Sequence, residues 1–386
     1  MTTRILFVSH SAELNGAEHM LLDLIGALDS KKYSSSLVIP CPGPLKTAAE
    51  AFGCQVRIVP MKWALTEWSN IWKQPLAWLL NRSSVKHIVD AVREDQADIV
   101  FSNSAANFCG ALAARKAQLP HVWSIHENIY GKQAHLRYFW GSRRLASKIA
   151  GSSCKVIVNS KVTGKAFEGH SNVEIVYNGI PDPPREGKTR LDLRSDLGLK
   201  QDNTILTVIG KIYKGKGQAE AVQAVERLLW RIPGIKIMLI GDVRNRRYYR
   251  RIQKICEQKN MKDRVLFVGH VKDVLDYIRA SDLLIIPSSV ESFGRTAVEA
   301  MSVGTPVLAL RAGGLTEIIT EGKDGYFIEF KNPENIARAI LSIFQAPALN
   351  DRLIQAALQT HRDNFSLEQH VSKIENILGK CLSVEH

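Results

Sequence analysis

"PSSVESFGRTAVEAMSVGTPVLAL", from Pro287 to Leu310, is the stretch on which the fold turns. It grows out of one apolar run, "SDLLIIPS" (281–288), and closes on another, "TPVLAL" (305–310). Both have the length and the unbroken hydrophobicity of buried strands. Between them Glu291 ends a strand–loop, and a helix is expected from Gly294 or Arg295, with Ala300, Met301 and Val303 marking it as packed. Strand, helix and strand in that order are the unit of a parallel α/β sheet.

The same alternation extends in both directions. "TILTVIG" (204–210), "IKIMLIG" (235–241) and "RVLFVGH" (264–270) are strands with helical segments between them. The first half repeats the pattern with "RILFVS" (4–9), the helical "GAEHMLLDLIGAL" (16–28), "SSLVIP" (35–40), "VRIVP" (56–60), "ADIVFSN" (97–103), "HVWSIHE" (121–127), "CKVIVNS" (154–160) and "VEIVYNG" (173–179). "NGIPDPPREGKTR" (178–190) interrupts it with Pro, Gly and charge and reads as a linker. Two doubly wound, Rossmann-like α/β domains account for this: 1–180 and 201–360, with a linker over 181–200. A chain of 386 residues suits two cores better than one.

Composition narrows the class. At 45% hydrophobic and 23% charged residues the chain is ordinary globular protein. No apolar run approaches the ~18 residues of a spanning helix, and the short run in "MTTRILFVSH" reads as a first strand. Six cysteines without a C-x-x-C pair argue against zinc and disulfides and suit a cytoplasmic setting. The net charge of +13 favours an anionic partner. From Asn128 to Phe167 no residue is acidic, which fits a solvated basic face or a site for such a partner.

"VIGKIYKGKGQ" (208–218) spaces Gly210, Gly215 and Lys216 like a phosphate-binding P-loop. Gly217 stands where an NTPase needs a Ser or Thr hydroxyl for Mg²⁺, so an ATPase is disfavoured. A strand end with Lys211, Lys216 and close-approaching glycines can still face a diphosphate.

Glu291 and Glu299 form an E-x7-E pair inside the opening stretch, which also carries Phe293-Gly294, Glu299-Ala300-Met301 and Gly304-Thr305-Pro306-Val307. "NGAE" (15–18), "HE" (126–127), "NGI" (178–180), "GKIYKGKG" (210–217), "AGGLTEII" (312–319) and "GKDGYFI" (322–328) accompany it. Together these phrases, over about residues 5–330, resemble the retaining, nucleotide-sugar-dependent glycosyltransferases of family 4. The resemblance implies the GT-B fold: two Rossmann-like domains facing a central cleft, the first on the acceptor side and the second holding the donor. Residues 361–386 would form a C-terminal helix crossing back to the first domain.

By the same resemblance Glu299 binds the nucleotide ribose and Glu291 the donor sugar hydroxyls. Backbone amides of Ser292, Phe293, Gly294 and Arg295 meet sugar and diphosphate, and Lys216 pairs with the diphosphate. Lys211 stands where the family more often has Arg, so charge is kept but a bidentate fork is not. Gly16 and Gly241 complete the donor-binding set, and His126, Lys216 and Glu291 are the catalytic candidates. The implied reaction moves a hexosyl unit from a UDP- or GDP-sugar to an acceptor hydroxyl, with retention, in glycan, lipopolysaccharide or other glycoconjugate biosynthesis. With no D-x-D in the chain, no metal or other cofactor is expected.

The acceptor side offers less. "MKWALTEWSNIWKQPLAWLLNR" (61–82) holds Trp63, Trp68, Trp72 and Trp78, four of the seven tryptophans, and Pro75 should start a new helix. "HLRYFWGSRRLASKIA" (135–150) mixes aromatics with Arg137, Arg143, Arg144 and Lys148. Such mixtures line a sugar site, pack between helices, or rest on an anionic membrane at the inner face, where a lipid-linked acceptor would be natural. Two rivals stand beside the transferase: a nucleotide-sugar 2-epimerase on a similar scaffold, and a nucleic-acid-binding protein using "RNRRYYRRIQK" (244–254). The second lacks any helix-turn-helix, zinc or RNP-like phrase.

Overall fold

A computed structural model describes residues 2–65, 74–131, 138–183 and 188–383. The chain divides into two compact units, Met1–Pro181 with Leu367–His386, and Asp182–Ser366.

In the first unit β1 (Thr3–Ser9), β2 (Tyr33–Ile39), β3 (Gln55–Ile58), β4 (Ile99–Asn103), β5 (His121–Ile125), β6 (Lys155–Val158) and β7 (Val173–Ile175) form a sheet in the order 3-2-1-4-5-6-7. Every pairing among the described residues of this sheet is parallel. Helices α1 (Gly16–Ala27), α2 (Pro44–Glu50), α3 (Gln74–Glu94), α4 (Cys109–Ala117), α5 (Ser142–Ala150) and α6 (Lys161–Gly164) connect the strands. The strands read as continuous apolar runs because both faces are covered. Ile5 and Phe7 turn toward Leu21 and Leu24 of α1, whereas Leu6 and Val8 turn toward Val85 and Ile88 of α3.

The second unit opens with α7 (Arg190–Asp196) and continues through β8 (Thr204–Ile209), α8 (Gln218–Leu228), β9 (Ile235–Ile240), α9 (Arg246–Gln258), β10 (Val265–Gly269) and α10 (Val274–Ala280). β11 (Leu283–Ile286), α11 (Arg295–Ser302), β12 (Val307–Leu310), α12 (Leu315–Ile318), β13 (Tyr326–Ile328), α13 (Pro333–Phe344) and α14 (Pro347–Thr360) follow. Its parallel sheet runs 10-9-8-11-12-13. Leu206, Val208, Ile237 and Leu239 bury one face against Val222 and Val225 of α8 and Ile336 of α13.

Two boundaries differ from expectation. The linker expected over 181–200 contains α7, and from Asp182 onward it belongs to the second unit. Thr189 and Asp192 close a capping box on α7. Arg194 is buried, donates to the carbonyls of Ala280, Gln201 and Asn203, and pairs with Asp282 at 2.6 Å. The C-terminal helix begins at Leu367, not at 361: α15 (Leu367–Leu382) packs Val371, Ile374 and Leu378 into the first unit's core. Residues 361–366 stay with the second unit, where Phe365 meets Phe293 with ring centroids 6.0 Å apart.

In both sheets the strand order reverses beside the central strand, at β1/β4 and at β8/β11. The carboxyl ends of such neighbours diverge and leave a crevice, where α/β sheets bind their ligands.

Candidate functional site

In the second unit the crevice at β8/β11 is lined by two loops. After β8 the chain turns through Gly210 and Lys211 into a tight helical turn over Lys214–Lys216 and then enters α8. Lys331 fastens this turn from behind, donating to the carbonyls of Lys214 and Gly215 at 3.2 Å each. Gly217 sits at φ +77, and a Cβ there would lie 2.6 Å from the Pro287 carbonyl oxygen. The missing P-loop hydroxyl therefore has a physical reason: the position has neither the backbone angle nor the space for Ser or Thr.

The second loop leaves β11 and runs from Pro287 to Gly294. Lys216 Nζ reaches across to Glu291 Oε1 at 2.5 Å. Burial works against the Lys216 ammonium, but the charge of Glu291 and its hydrogen bond outweigh it and raise the pKa above the ordinary lysine value. The "AGG" phrase backs this loop. Gly314 N–H donates to the Glu291 carbonyl at 2.9 Å, and a Cβ on Gly313 (φ +58) would lie 2.1 Å from that oxygen. Gly294 stands at the N-cap of α11, where the positive end of the helix dipole favours an anion. One turn on, Glu299 is 5% exposed and accepts from Arg295 Nε at 2.7 Å.

Lys216, Glu291, Ser292, Gly294, Arg295 and Glu299 thus lie on two adjoining loops and one helix start. Lys211 is exposed at the mouth of the first loop. Phe293 is 3% exposed, so its side chain belongs to the core and only its backbone faces the loop. Gly241 ends β9 against the backbone of Gly210, which a Cβ would strike at 2.5 Å.

The first unit has its own polar cluster at β1/β4/β5. Asn103 ends β4, and His10 and His126 immediately follow β1 and β5. Asn103 Nδ2 donates to the Ala17 carbonyl at 3.1 Å, which turns Oδ1 toward His126 Nε2 at 2.7 Å. That bond places the imidazole proton on Nε2 and leaves a lone pair on Nδ1, which is buried without a hydrogen-bond partner among the described residues. Burial pushes the His126 pKa down to about 4, with Glu127 opposing and His370 and His10 assisting. Burial also works against the Glu127 carboxylate. His10, His126 and hydrogen bonds from Ser104 and the Ala105 amide outweigh it and hold the pKa below the ordinary value. Glu18 closes the capping box of α1 and lies 3.3 Å from His10 Nδ1; burial raises its pKa. Trp63 donates its indole N–H to the His10 carbonyl at 2.9 Å. Gly16 opens α1 with free space where a Cβ would project.

Replacing Asn103 with Leu removes the acceptor that fixes this tautomer. Ser124 Oγ, 3.1 Å from Nε2, then becomes the partner there and can donate to that nitrogen, so the ring should shift toward the Nδ1–H form, at a cost of about 1 kcal/mol for the lost bond. ¹⁵N NMR of the imidazole reads this directly. A wild-type protein already protonated at Nδ1 would contradict the assignment.

Two family models match the chain in tandem: Glycosyltransferase Family 4 over residues 14–182 and Glycosyl transferases group 1 over residues 189–360. The chain belongs to the family 4 glycosyltransferases. This glycosyltransferase is 26% identical over 298 residues to the uncharacterized glycosyltransferase MJ1607 of Methanocaldococcus jannaschii, covering 73% of this chain and 75% of that protein. It is 27% identical over 215 residues to N-acetyl-alpha-D-glucosaminyl L-malate synthase of Bacillus anthracis, covering 56% of this chain and 55% of that protein. D-inositol 3-phosphate glycosyltransferase of Streptomyces griseus is 32% identical over 203 residues, covering 50% of this chain and 43% of that protein. For these last two, the match spans about half the relative's length. The crystal structure of Anabaena Alr3699/HepE in complex with UDP-glucose superposes with a TM-score of 0.81 at 22% identity, over 98% of this chain and 99% of that one. The glycosyltransferase from Rickettsia africae ESF-5 gives 0.84 at 19% identity over the whole of both chains. Both place the glycosyltransferase in the GT-B fold.

Several residues of the two clusters escaped the sequence. His10, Asn103, Glu127 and Lys331 act through partners far along the chain, Glu18 acts through nearby Asn15 and His10, and Arg295 contributes its side chain to Glu299. For His10 and Asn103 a usable signal existed: each stands at the carboxyl end of a strand beside the topological switch. Trp68 and Trp72, Lys132 and Arg137 lie outside the described residues. The basic stretch 244–254 falls on α9, which buries Tyr248 and Ile252 in the core. Its charges form the solvated face of an amphipathic helix.

Proposed function

We propose that this glycosyltransferase moves a hexosyl unit from a UDP- or GDP-sugar to an acceptor hydroxyl with retention of the anomeric configuration. The carrying observation is the Lys216–Glu291 pair at the β8/β11 crevice, one loop from the α11 N-terminus and Glu299. Lys216 and the amides of Ser292 to Arg295 meet the diphosphate, with Lys211 adding charge at the rim. Glu291 accepts from sugar hydroxyls and Glu299 from the ribose pair. Arg295 holds the Glu299 carboxylate in place.

As the C1–O bond breaks with oxocarbenium character, negative charge gathers on the leaving diphosphate. Lys216 and the helix start stabilise it, which is where preorganised charge has most effect. The acceptor hydroxyl enters on the face the diphosphate leaves, and its proton passes to a departing phosphate oxygen. No protein nucleophile is assigned, and the lysines supply the neutralisation a metal would otherwise give. His126 Nδ1, a lone-pair acceptor in the first unit, takes a hydrogen bond from a sugar hydroxyl. The acceptor is a carbohydrate or a lipid-linked glycan in glycoconjugate biosynthesis. The described cysteines are all free, which suits the cytoplasm.

The test incubates the enzyme with UDP- and GDP-sugars and a panel of acceptors and reads the product's anomeric proton coupling by NMR. An α-linked product from an α-linked donor is expected. An inverted product would overturn the retaining mechanism, and a donor that changes only at C2 without an acceptor would make the chain an epimerase.

A further inference from the structure

The first unit carries an apolar surface that its core does not explain. α3 buries Ala77, Asn81, Ser84, Val85, Ile88 and Val89 on one side. On the other side its first turns expose Leu76, Leu79 and Leu80, each more than half accessible. The segment before α5 adds Phe139 and Trp140, 52% and 46% exposed, with rings 5.2 Å apart. The two segments adjoin: Phe139 N–H donates to the Gln74 side chain at 2.8 Å, and Lys148 of α5 lies 3.7 Å over the ring of Trp78 on α3.

Charge is distributed to match. α5 buries Leu145, Ala146 and Ile149 and exposes Arg143, Arg144 and Lys148. α3 follows its exposed leucines with exposed Arg82 and Lys86. No residue from Gln74 to Val89, or from Asn128 to Phe167, is acidic. Five large apolar side chains ringed by at least five cations, with no carboxylate in either segment, are the composition of an interfacial surface. A protein partner of ordinary composition would be met by mixed charge at the rim.

We propose that this face of α3 and α5 docks the enzyme peripherally on an anionic lipid bilayer, with Leu76, Leu79, Leu80, Phe139 and Trp140 entering the headgroup boundary and Arg82, Lys86, Arg143 and Arg144 facing lipid phosphates. The tryptophans first suspected for this role serve otherwise where they are described. Trp63 is tied to His10, and Trp78 lies between α3, Phe108 and Lys148. The docking surface is independent of the donor chemistry: its failure would leave the transferase reading intact, and the reverse holds as well.

Co-sedimentation with vesicles of phosphatidylglycerol and phosphatidylcholine, against phosphatidylcholine alone, tests it. Binding is expected to the anionic vesicles only and to fall steeply with salt. Arg143→Glu with Arg144→Glu should weaken it by about tenfold or more, and Leu79→Ser with Leu80→Ser by roughly tenfold. Both double variants should keep wild-type UDP affinity and melting temperature, since none of the four residues belongs to either polar cluster. Absence of binding to anionic vesicles at low salt, or binding indifferent to both double variants, would overturn the proposal. So would a wild-type dimer that the leucine variant converts to monomer while vesicles stay unbound, because a second copy would then be the occupant.

Discussion

Lys216→Ala is expected to lower turnover by about 10²–10³-fold, the usual cost of removing one preorganised charge from a developing anion. Two features make this lysine singular. It is locked at 2.5 Å on Glu291, and the turn that carries it is fastened by Lys331 and cannot relax toward Gly217. Steady-state kinetics should show kcat and kcat/KM falling together, because the charge acts on the transition state more than on bound donor. Glu291→Gln separates the partners. It frees Lys216 from its carboxylate, so UDP should bind at least as tightly as in the wild type, while transfer slows because sugar hydroxyls lose their charged acceptor. A Lys216→Ala enzyme with near-normal turnover, its melting temperature intact, would remove the lysine from the chemistry.

Acid should unfold the first unit before the second. His121 is 3% exposed between the hydroxyls of Ser102 and Ser153, and burial pushes its pKa down to about 3. His126 lies at about 4, and burial lowers His370 as well. Each folded value lies below the unfolded 6.5, so the unfolded chain binds more protons once pH drops below that value. Stability is therefore complete above pH 6.5 and is lost on acidification toward the folded values. Between pH 7 and pH 5 each of His121 and His126 removes about 2 kcal/mol. Together they reach about 4 kcal/mol, a large share of the 5–15 kcal/mol typical of a domain. Glu127 adds to the loss only below about 4.5, where the unfolded chain's carboxylate takes a proton while the folded one, held below that value, does not. Glu18, raised by burial, works the other way as pH falls toward 4.5. Hydrogen exchange resolved by peptide should show β4, β5 and α4 opening at pH 5 while β8 and β11 stay protected. Equal protection of β5 at pH 7 and pH 5 would contradict the buried neutral histidines.

The strands were legible because burial on both faces writes them as apolar runs, and the start of α11 at Gly294 was legible because a single local phrase carries it. α7 was not. Its capping box and its buried Arg194 are polar residues whose partners, Asp282 and the Ala280 carbonyl, lie far along the chain, so the segment reads as a charged linker. The end of the second unit was misplaced for a similar reason. Residues 361–366 pack against α11 and α14, with Phe365 against Phe293, and nothing near Phe365 in sequence announces it. In the first unit, the tautomer of His126 depends on Asn103, and the orientation of Asn103 depends on the Ala17 carbonyl. That chain of dependence exists only once β1, β4 and β5 are side by side.

The account rests on the second unit recognising a pyrophosphate rather than a base alone. Isothermal titration of the full-length protein with UDP, GDP and their parent nucleosides measures this directly. The cognate diphosphate should bind more than about a hundredfold tighter than its nucleoside, as two charge-assisted contacts imply, and Lys216→Ala should erase most of that difference. A nucleoside that binds as tightly as its diphosphate, or a difference that survives Lys216→Ala unchanged, would contradict the central claim.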